Sequence, residues 1–393
     1  MAGSSENAEA LLQWGADPSV PEKSANVTCL HWIFCFPSDR IVVLARLLVQ
    51  HGTDINALAV RATPSFHYHF WFSAGTPFHW AVLVGCYSAM QSLYNLGTDA
   101  SIRDTSDPYR YLLDVRLETE FGGPDNTAYS VPRQQTMVLN VVNVAALAHD
   151  HLVLGFFIKH GLRSRDLGAD EEGYFPFHRL NDGDTGYTSS GIAFRTTLFR
   201  GDPKDQRHAL LHTIQTLQKL GFDINALTSP QDPLVQGRSP LMEAVSAGKI
   251  DVVTALLEQE DSIDLNIANE VGKTALMSLS TRMTANDFDL HKTTTEIVKL
   301  LLATGKIDIR ATDIDGDIAL LGAAAGGHFQ VSLILLENGA DISVRVSNPA
   351  RVEVGMSVIA YLLRKEMCVG PASLVQLEFL ETILKNHVFA ISD

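Results

Sequence analysis

Asp313-Ile-Asp-Gly-Asp-Ile-Ala-Leu320, Ala323-Ala-Ala-Gly-Gly-His328 and Ile334-Leu-Leu-Glu-Asn-Gly-Ala-Asp-Ile342 are the three pieces of the stretch that decides the fold. They give a turn, an apolar segment, a glycine break, a second apolar segment and a Gly-Ala-Asp ending. A period of roughly 33 residues is typical of a stacked solenoid, in which each helix pair buries its apolar faces only against its neighbours. Degraded copies of the ending recur at Leu47–Asn56, Leu93–Ala100 and Leu217–Asn225.

The start of the repeat also recurs, and it carries its own helix-start chemistry. A Thr or Ser can cap a first helix, and Pro at the first helical position costs no hydrogen bond. Glycines 52, 97, 161, 221 and 339 follow the second apolar segments, where a left-handed residue most easily ends a helix. Seven copies of the start are in register: Thr28–His31, Thr76–His79, Gly173–His178, Gly237–Met242, Gly272–Met277, Gly316–Leu321 and Gly355–Ala360.

These copies resemble the G-x-T-P-L-H phrase of the ankyrin repeat family, and the resemblance covers nearly the whole chain. It implies an all-α solenoid of stacked helix-turn-helix units with β-hairpin finger loops, forming a single domain over residues 1–393. A half-repeat at 8–27 would precede eight repeats, of which the unit around 141–151 lacks the phrase. The predicted repeats are 28–57, 75–104, 137–165, 173–227, 237–269, 272–313, 316–345 and 355–389.

Spacings above the normal repeat length place insertions at 58–74, 104–136, 181–207, 280–292 and 343–354. The first, second and fifth lie between repeats, at the position of the fingers. The third and fourth lie between the two helices of one repeat. Long loops on a rigid scaffold often carry binding residues.

The predicted partner-binding residues lie on the fingers. The first insertion alternates aromatic side chains, so one face of that finger must point outward, where Tyr, Trp and Phe are typical anchors for a partner. The alternative is that these aromatic residues pack onto the neighbouring finger as a small separate core. The family's contact positions supply the other fingertip residues. The predicted site consists of Phe66, Tyr68, Phe70, Trp71, Phe72, Glu171, Glu172, Tyr174, Arg238, Lys273, Asp315 and Asp317. Trp32 and Trp80 follow the His of the opening phrase, and we expect both to pack in the core.

Composition narrows the class of partner. The net charge of −15 disfavours nucleic acid, because phosphate binding needs a basic stripe. Acidic fingertips suggest a protein or peptide partner with a basic segment, although a solvated acidic rim explains them equally well. No apolar run is long enough for membrane insertion. The four cysteines form no CxxC motif, so we expect them to be small buried apolar residues of a protein in a reducing compartment. We therefore expect a cytoplasmic location, without separating cytosol from nucleus.

The histidine and aspartate patterns do not support a metal site or a catalytic site. The pairs His67/His69, His149/His151 and His208/His212 each lack a third zinc ligand. The series Asp313, Asp315 and Asp317 lacks the Gly and Glu positions of a calcium loop. The His of the opening phrase is structural in the ankyrin family. We predict no metal and no cofactor.

The expected function is therefore a non-catalytic protein-interaction module that binds a protein or peptide through its fingers and first helices, either alone or within a larger assembly. The alternative is a small-molecule or enzymatic pocket where the long insertions cover the N-terminal half of the groove. Its first candidate residues are His67, His69, Tyr109, Tyr111 and His149.

Overall fold

The computed structural model describes the residues 4–23, 26–59, 75–100, 102, 141–147, 149–164, 175–178, 180, 203–228, 237–279, 288–326, 328–347 and 354–358. Their regular structure is helical, and the only strand-like pairings among them are two isolated antiparallel bridges, Ala59 with Gly75 and Arg345 with Ser357. The predicted all-α class is confirmed. The chain divides into two compact units, Met1–Phe222 and Asp223–Asp393.

The first unit is built from helix pairs that stack side by side. Its helices are α1 (Ser5–Gln13), a 3-10 helix (Cys29–Cys35), α2 (Ser38–Gln50), α3 (Pro77–Val84), α4 (Tyr87–Asn95), α5 (Val141–Leu147), α6 (His151–Lys159) and α7 (Pro203–Leu220). The first helices form one layer, in which α3 packs on both the 3-10 helix and α5. In the other layer α1 packs on α2, α2 on α4, and α6 on α7.

The second unit repeats this two-layer arrangement. Its helices are α8 (Pro240–Ala247), α9 (Ile250–Leu257), α10 (Ala275–Ser278), α11 (Phe288–Ala303), α12 (Ala319–Gly326) and α13 (Phe329–Glu337). The first helices α8, α10 and α12 pack in sequence, and the second helices α9, α11 and α13 pack in sequence beside them. Apolar residues on the facing sides are buried, including Leu256, Leu301 and Leu320 at 0 % exposure.

Local sequence chemistry explains where the first helices begin. The Thr76 hydroxyl accepts a hydrogen bond from the His79 N–H at 3.4 Å, and Pro77 is the first helical residue. Ser239 does the same for the Met242 N–H at 3.2 Å, ahead of Pro240. The predicted helix starts are therefore confirmed at α3 and α8. The five glycines predicted to end second helices all have positive φ, between 78° and 93°.

Three features differ from the sequence predictions. Helices α7 and α11 begin at Pro203 and Phe288, inside the ranges predicted as insertions. The first turn of α7 is polar, and that of α11 alternates apolar and polar residues, so neither shows a helical period. Trp80 is buried at 5 % exposure, but Trp32 is 38 % exposed and meets Trp80 edge-on at 5.3 Å, so the core prediction for Trp32 is wrong. Cys29 is exposed, and Cys35 and Cys86 are only half-buried.

The histidine of the opening phrase connects neighbouring repeats. His31 Nδ1 accepts a hydrogen bond from the Thr28 N–H at 3.0 Å, and its Nε2 lies 3.2 Å from the Gly75 carbonyl oxygen in the next repeat. The ring therefore fixes both the start of its own helix and the base of the adjacent finger. Burial lowers the pKa of His31 to about 4. Burial, with a smaller effect from His31, lowers the pKa of His79 to about 4.

Asparagines on several loops after the second helices link neighbouring repeats. In the second unit, Asn225 Nδ2 donates to the Ser262 carbonyl at 2.8 Å, and its Oδ1 accepts from the Asp264 N–H at 2.9 Å. Asn266 repeats both bonds, to the Lys306 carbonyl at 2.9 Å and from the Asp308 N–H at 2.7 Å. Each asparagine satisfies two backbone groups of its neighbour, so its hydrogen bonds hold adjacent loops in register.

We predict that Asn266→Ala lowers the free energy of unfolding by about 1–2 kcal/mol, because it removes two hydrogen bonds between repeats. Urea unfolding followed by circular dichroism measures the loss. Gln330→Ala is the matched control, since Gln330 is an exposed amide in the same unit. Equal stability of the two variants would contradict a linking role for Asn266.

Acid should destabilise the first unit through its buried histidines. The pKa of His31 and His79 is lower in the folded chain than the ordinary value of 6.5, so the unfolded chain binds more protons. The contribution of these histidines to the free energy of unfolding is fully present above pH 6.5. It is lost as pH decreases towards 4, by up to about 1.4 kcal/mol per pH unit for each histidine. Urea unfolding at pH 7.0, 6.0 and 5.0, followed by tryptophan fluorescence, should show this slope. His79→Gln should remove about one of the protons that the chain takes up on unfolding, which makes the slope of stability against pH smaller. A wild-type slope of zero would contradict the prediction.

Candidate protein-binding surface

The candidate surface is formed by the finger loops of the second unit, which join each second helix to the next first helix. The finger ending at Arg238 is closed by two hydrogen bonds with Thr228: Thr228 N–H to the Arg238 carbonyl at 2.9 Å, and Arg238 N–H to the Thr228 hydroxyl at 2.8 Å. The finger ending at Met356 is closed by Val346 N–H to the Met356 carbonyl at 3.0 Å. These bonds give each finger a fixed base.

One side chain organises each of the two middle fingers, 269–273 and 313–317. Asn269 Oδ1 accepts hydrogen bonds from the N–H groups of Val271, at 3.2 Å, and Lys273, at 2.9 Å. The Asp313 carboxylate accepts from the corresponding groups of Asp315, at 3.0 Å, and Asp317, at 2.9 Å. The same contacts at positions two and four residues ahead give both fingertips the same tight turn.

Hydrogen bonds also connect each finger to the next. The Gly237 N–H donates to Glu270 Oε2 at 2.9 Å, and the Ile314 N–H donates to the Val271 carbonyl at 3.0 Å. The Ser347 hydroxyl donates to the Asp315 carbonyl. We call the tips joined by these three contacts the fingertip row: 237–238, 269–273, 313–317, 346–347 and 354–356. Because every tip is held by its neighbours, the row is a preorganised surface.

The fingertip row exposes apolar side chains. Ile314 is 71 % exposed and Val354 is 50 % exposed. They are the exposed large hydrophobic residues among those the structure describes in the second unit. Half-buried Val271 and Met356 lie on the two neighbouring tips. Exposed apolar side chains that are grouped and rimmed by polar residues often mark a surface that a partner covers.

Four of the predicted partner-binding residues lie in the fingertip row. Arg238 is half-buried, with Nη1 3.6 Å from Glu243 Oε2, and Lys273, Asp315 and Asp317 are half-buried on the two middle fingers. The row brings these residues onto three consecutive tips. The other predicted residues lie outside the described residues: Phe66, Tyr68, Phe70, Trp71, Phe72, Glu171, Glu172 and Tyr174.

Sequence reasoning missed Ile314, Val354 and the organising residue Asp313. Ile314 stands between two aspartates, and an isolated apolar residue inside a turn was the signal that could have identified it. In the sequence, Asp313 resembles only a member of an incomplete calcium loop. Its carboxylate instead accepts backbone hydrogen bonds from its own finger.

The first unit supplies the base of the predicted aromatic finger. Ala59 and Gly75 exchange two backbone hydrogen bonds, at 2.9 and 3.1 Å, on either side of the insertion. Of the pocket candidates, His67, His69, Tyr109 and Tyr111 lie outside the described residues. His149 Nε2 lies 3.1 Å from the Leu180 carbonyl oxygen, so this ring connects two repeats.

The described residues show neither a metal site nor a membrane-spanning helix. Within the described ranges, no three His, Cys, Asp or Glu side chains come together as a set of metal ligands. Every helix in the described part of the chain is too short or too polar to cross a bilayer.

Comparison with known proteins adds a family assignment for one segment. Residues 236–270 match the family model described as Ankyrin repeat. Among solved structures, the chain is similar to the crystal structure of the ankyrin repeat domain of Bcl-3, whose title calls it a unique member of the IkappaB protein family. The identity is 16 %, the match covers 78 % of this chain and 98 % of that chain, and the TM-score is 0.45. No curated protein matches the sequence significantly.

The matched segment contains α8, α9 and the finger with its tip at Glu270. Ankyrin repeats generally mediate protein–protein interactions. In the second unit, the pairs α10/α11 and α12/α13 have the same order of finger, first helix and second helix, and each layer packs in sequence. The chain is therefore an all-α protein with an ankyrin repeat at 236–270.

Proposed function

We propose that this chain is a non-catalytic interaction module and that the fingertip row of its second unit binds a protein partner. One observation carries the proposal: hydrogen bonds join successive tips into a row, and on it Ile314 is 71 % and Val354 50 % exposed. Burying both side chains under a partner would contribute about 2–4 kcal/mol to binding. A fixed row also reduces the entropy lost when the partner binds.

The charges of the row favour a partner with apolar anchors and basic neighbours. Glu270 is exposed at the tip next to Ile314, and Asp315 is half-buried beside it. The glutamate already accepts a hydrogen bond from Gly237, which fixes the position of its charge. A lysine or arginine of the partner near this carboxylate would orient the partner and raise the association rate more than it would raise the affinity.

The aromatic insertion 58–74 remains a second predicted contact in the first unit. Its support is the sequence pattern of Phe66, Tyr68, Phe70, Trp71 and Phe72, together with the paired base at Ala59 and Gly75. The rival hypothesis, a pocket under the long insertions, depends on residues outside the described ranges, apart from His149. The bond of His149 to the next repeat favours a structural role for that residue.

Replacing both exposed anchors should remove partner binding without unfolding the chain. We predict that Ile314→Ser/Val354→Ser lowers capture of specific proteins from native cell extract at least about tenfold, because about 2 kcal/mol or more of apolar burial is lost. Quantitative mass spectrometry of the captured proteins measures this loss. Val20→Ser is the matched control, since Val20 is 65 % exposed in the first unit.

Thermal melting should be the same for both variants and the wild type. If the double variant captures the same proteins as Val20→Ser, the fingertip row is not the binding surface. Parallel capture with Phe70→Ser/Trp71→Ser separates a contribution of the aromatic insertion from that of the row.

Gly272 holds two middle tips in close contact. Its φ is +77°, and a Cβ at this position would lie 2.9 Å from the Asp313 Cα of the next finger. Since the obstructing atom belongs to the backbone, the neighbouring finger itself would have to move. The glycine is therefore required for the contact between the Val271 carbonyl and the Ile314 N–H.

We predict that Gly272→Ala destabilises the chain by more than Gly305→Ala. Gly305 also has positive φ, at +64°, but a Cβ there would meet nothing within 4 Å. The control should lose about 1 kcal/mol from backbone strain alone, and the test variant should lose more. Denaturant unfolding compares the two, and equal losses would contradict the close packing of the fingers.

A further inference from the structure

A second surface lies on the outer side of the second helices, away from the fingers. When the second helices are aligned on the residue that ends them (Gly52, Gly97, Gly161, Gly221, Glu260, Gly305 and Gly339), the positions nine, six and two residues earlier share one helix face. We call these positions the outer face. The structure exposes or half-exposes the outer-face side chains of both units, except Leu333, which is buried at 8 %.

The outer face differs in charge between the two units. In α2, α4, α6 and α7 it contains no acidic residue and three exposed cations, Arg46, Lys159 and Lys219. The remaining residues of these four helices on the face are Val43, Gln50, Ser88, Gln91, Asn95, Leu152, Gly155, His212 and Gln215. In the second unit the same positions hold four acidic residues and one cation: Asp251, Glu258, Glu296, Glu337 and Lys299. The contrast occurs in a chain whose net charge is −15.

The first unit's outer face also carries large exposed apolar residues, which the outer face of the second unit lacks among the described residues. Val43 is 46 % exposed and Leu152 is 69 % exposed. Next to them, Val42 is 49 % exposed and Tyr87 is 45 % exposed, each ten residues before its closing glycine. In the second unit, the outer-face positions that correspond to Val43 and Leu152 hold the polar residues Asp251, Glu296 and Gln330.

The four helices form one continuous surface. Helix α2 packs on α4, and α6 packs on α7, where the rings of His151 and His212 lie 5.2 Å apart. Helices α4 and α6 meet through Tyr87 and Phe156, whose ring centroids are 5.5 Å apart. Acidic residues mark one border: Glu6 and Glu9 on α1, and Asp39 in the first turn of α2.

Helix dipoles alone do not explain the basic charge. Lys159 and Lys219 lie in last turns, where a cation is favourable. The second unit, however, has Glu258 and Glu337 at that same position. Neither Arg46, Lys159 nor Lys219 forms an ion pair with a described residue, so their charges face solvent.

We propose that the outer face of the first unit binds an acidic amphipathic helix of a protein partner, independently of the fingertip row. Apolar residues of that helix would cover Val43, Tyr87 and Leu152, and its carboxylates would face Arg46, Lys159 and Lys219. An anionic membrane fits less well. Three cations supply only about 3 kcal/mol towards such a surface, while the strongly acidic chain as a whole is repelled.

The test selects peptides with the full-length chain. A displayed library of random 16-residue peptides is first enriched for peptides that bind the wild type. Peptides that also bind Arg46→Glu/Lys159→Glu are then removed. The peptides that remain should be rich in Asp and Glu, with apolar residues three or four positions apart. Their affinity should decrease at least about tenfold in the charge-reversed variant, and it should weaken with added salt.

The matched control is Lys292→Glu/Lys299→Glu, which makes the same change in net charge on the outer side of α11. It should alter the affinity by less than about twofold, since neither lysine belongs to the proposed binding surface. Val43→Ser/Leu152→Ser should weaken binding by a similar tenfold factor with unchanged thermal melting.

Three outcomes would overturn the proposal. The selected peptides could lack acidic residues, or they could bind both charge-reversed variants equally. In the third outcome, the chain would float with vesicles of three parts phosphatidylcholine to one part phosphatidylserine and lose that binding in Arg46→Glu/Lys159→Glu. That result would assign the face to a membrane.

Discussion

The structure of each unit depends on one constraint: a single helix pair cannot bury its own apolar faces. Each pair therefore packs against its neighbours in two layers, and polar groups at the edges are satisfied across the same boundaries. His31 reaches the carbonyl of Gly75, and Asn266 reaches two backbone groups of the following loop. Apolar burial supplies most of the stabilisation, and these hydrogen bonds fix the spacing between repeats.

Stacking also determines which positions are available for binding. Residues facing a neighbouring repeat are buried, so variation without loss of the fold is confined to the fingertips and the outer sides of the second helices. The two units use this freedom differently. In the second unit the exposed apolar residues lie on the fingertips, whereas in the first unit exposed Val43 and Leu152 lie on the outer face with three cations. One scaffold can thus present chemically distinct surfaces.

Much of the fold could be predicted from local chemistry, because the caps at Thr76 and Ser239 and the closing glycines act within one repeat. The starts of α7 and α11 could not, since the first turn of α7 is polar and that of α11 alternates apolar and polar residues, without a helical period. Trp80 occupies the equivalent position in the next repeat and is buried, whereas Trp32 is 38 % exposed, because its surroundings cover less of the ring. The candidate site was predicted only in part. The contact positions of the ankyrin family suggested Asp315 and Asp317, while the exposure of Ile314 depends on how the fingers stack.

Native-state hydrogen exchange on the wild-type chain tests the stacking constraint most directly. The amide hydrogens of Asp308 and Ile314 lie in loops, but they are bonded to Asn266 and to the Val271 carbonyl of the preceding repeat. If neighbouring repeats stabilise one another, both amides should exchange with a free energy close to that of helices α10 and α11. Exchange of these amides at the rate of unprotected loop residues, while the helices stay protected, would contradict the account.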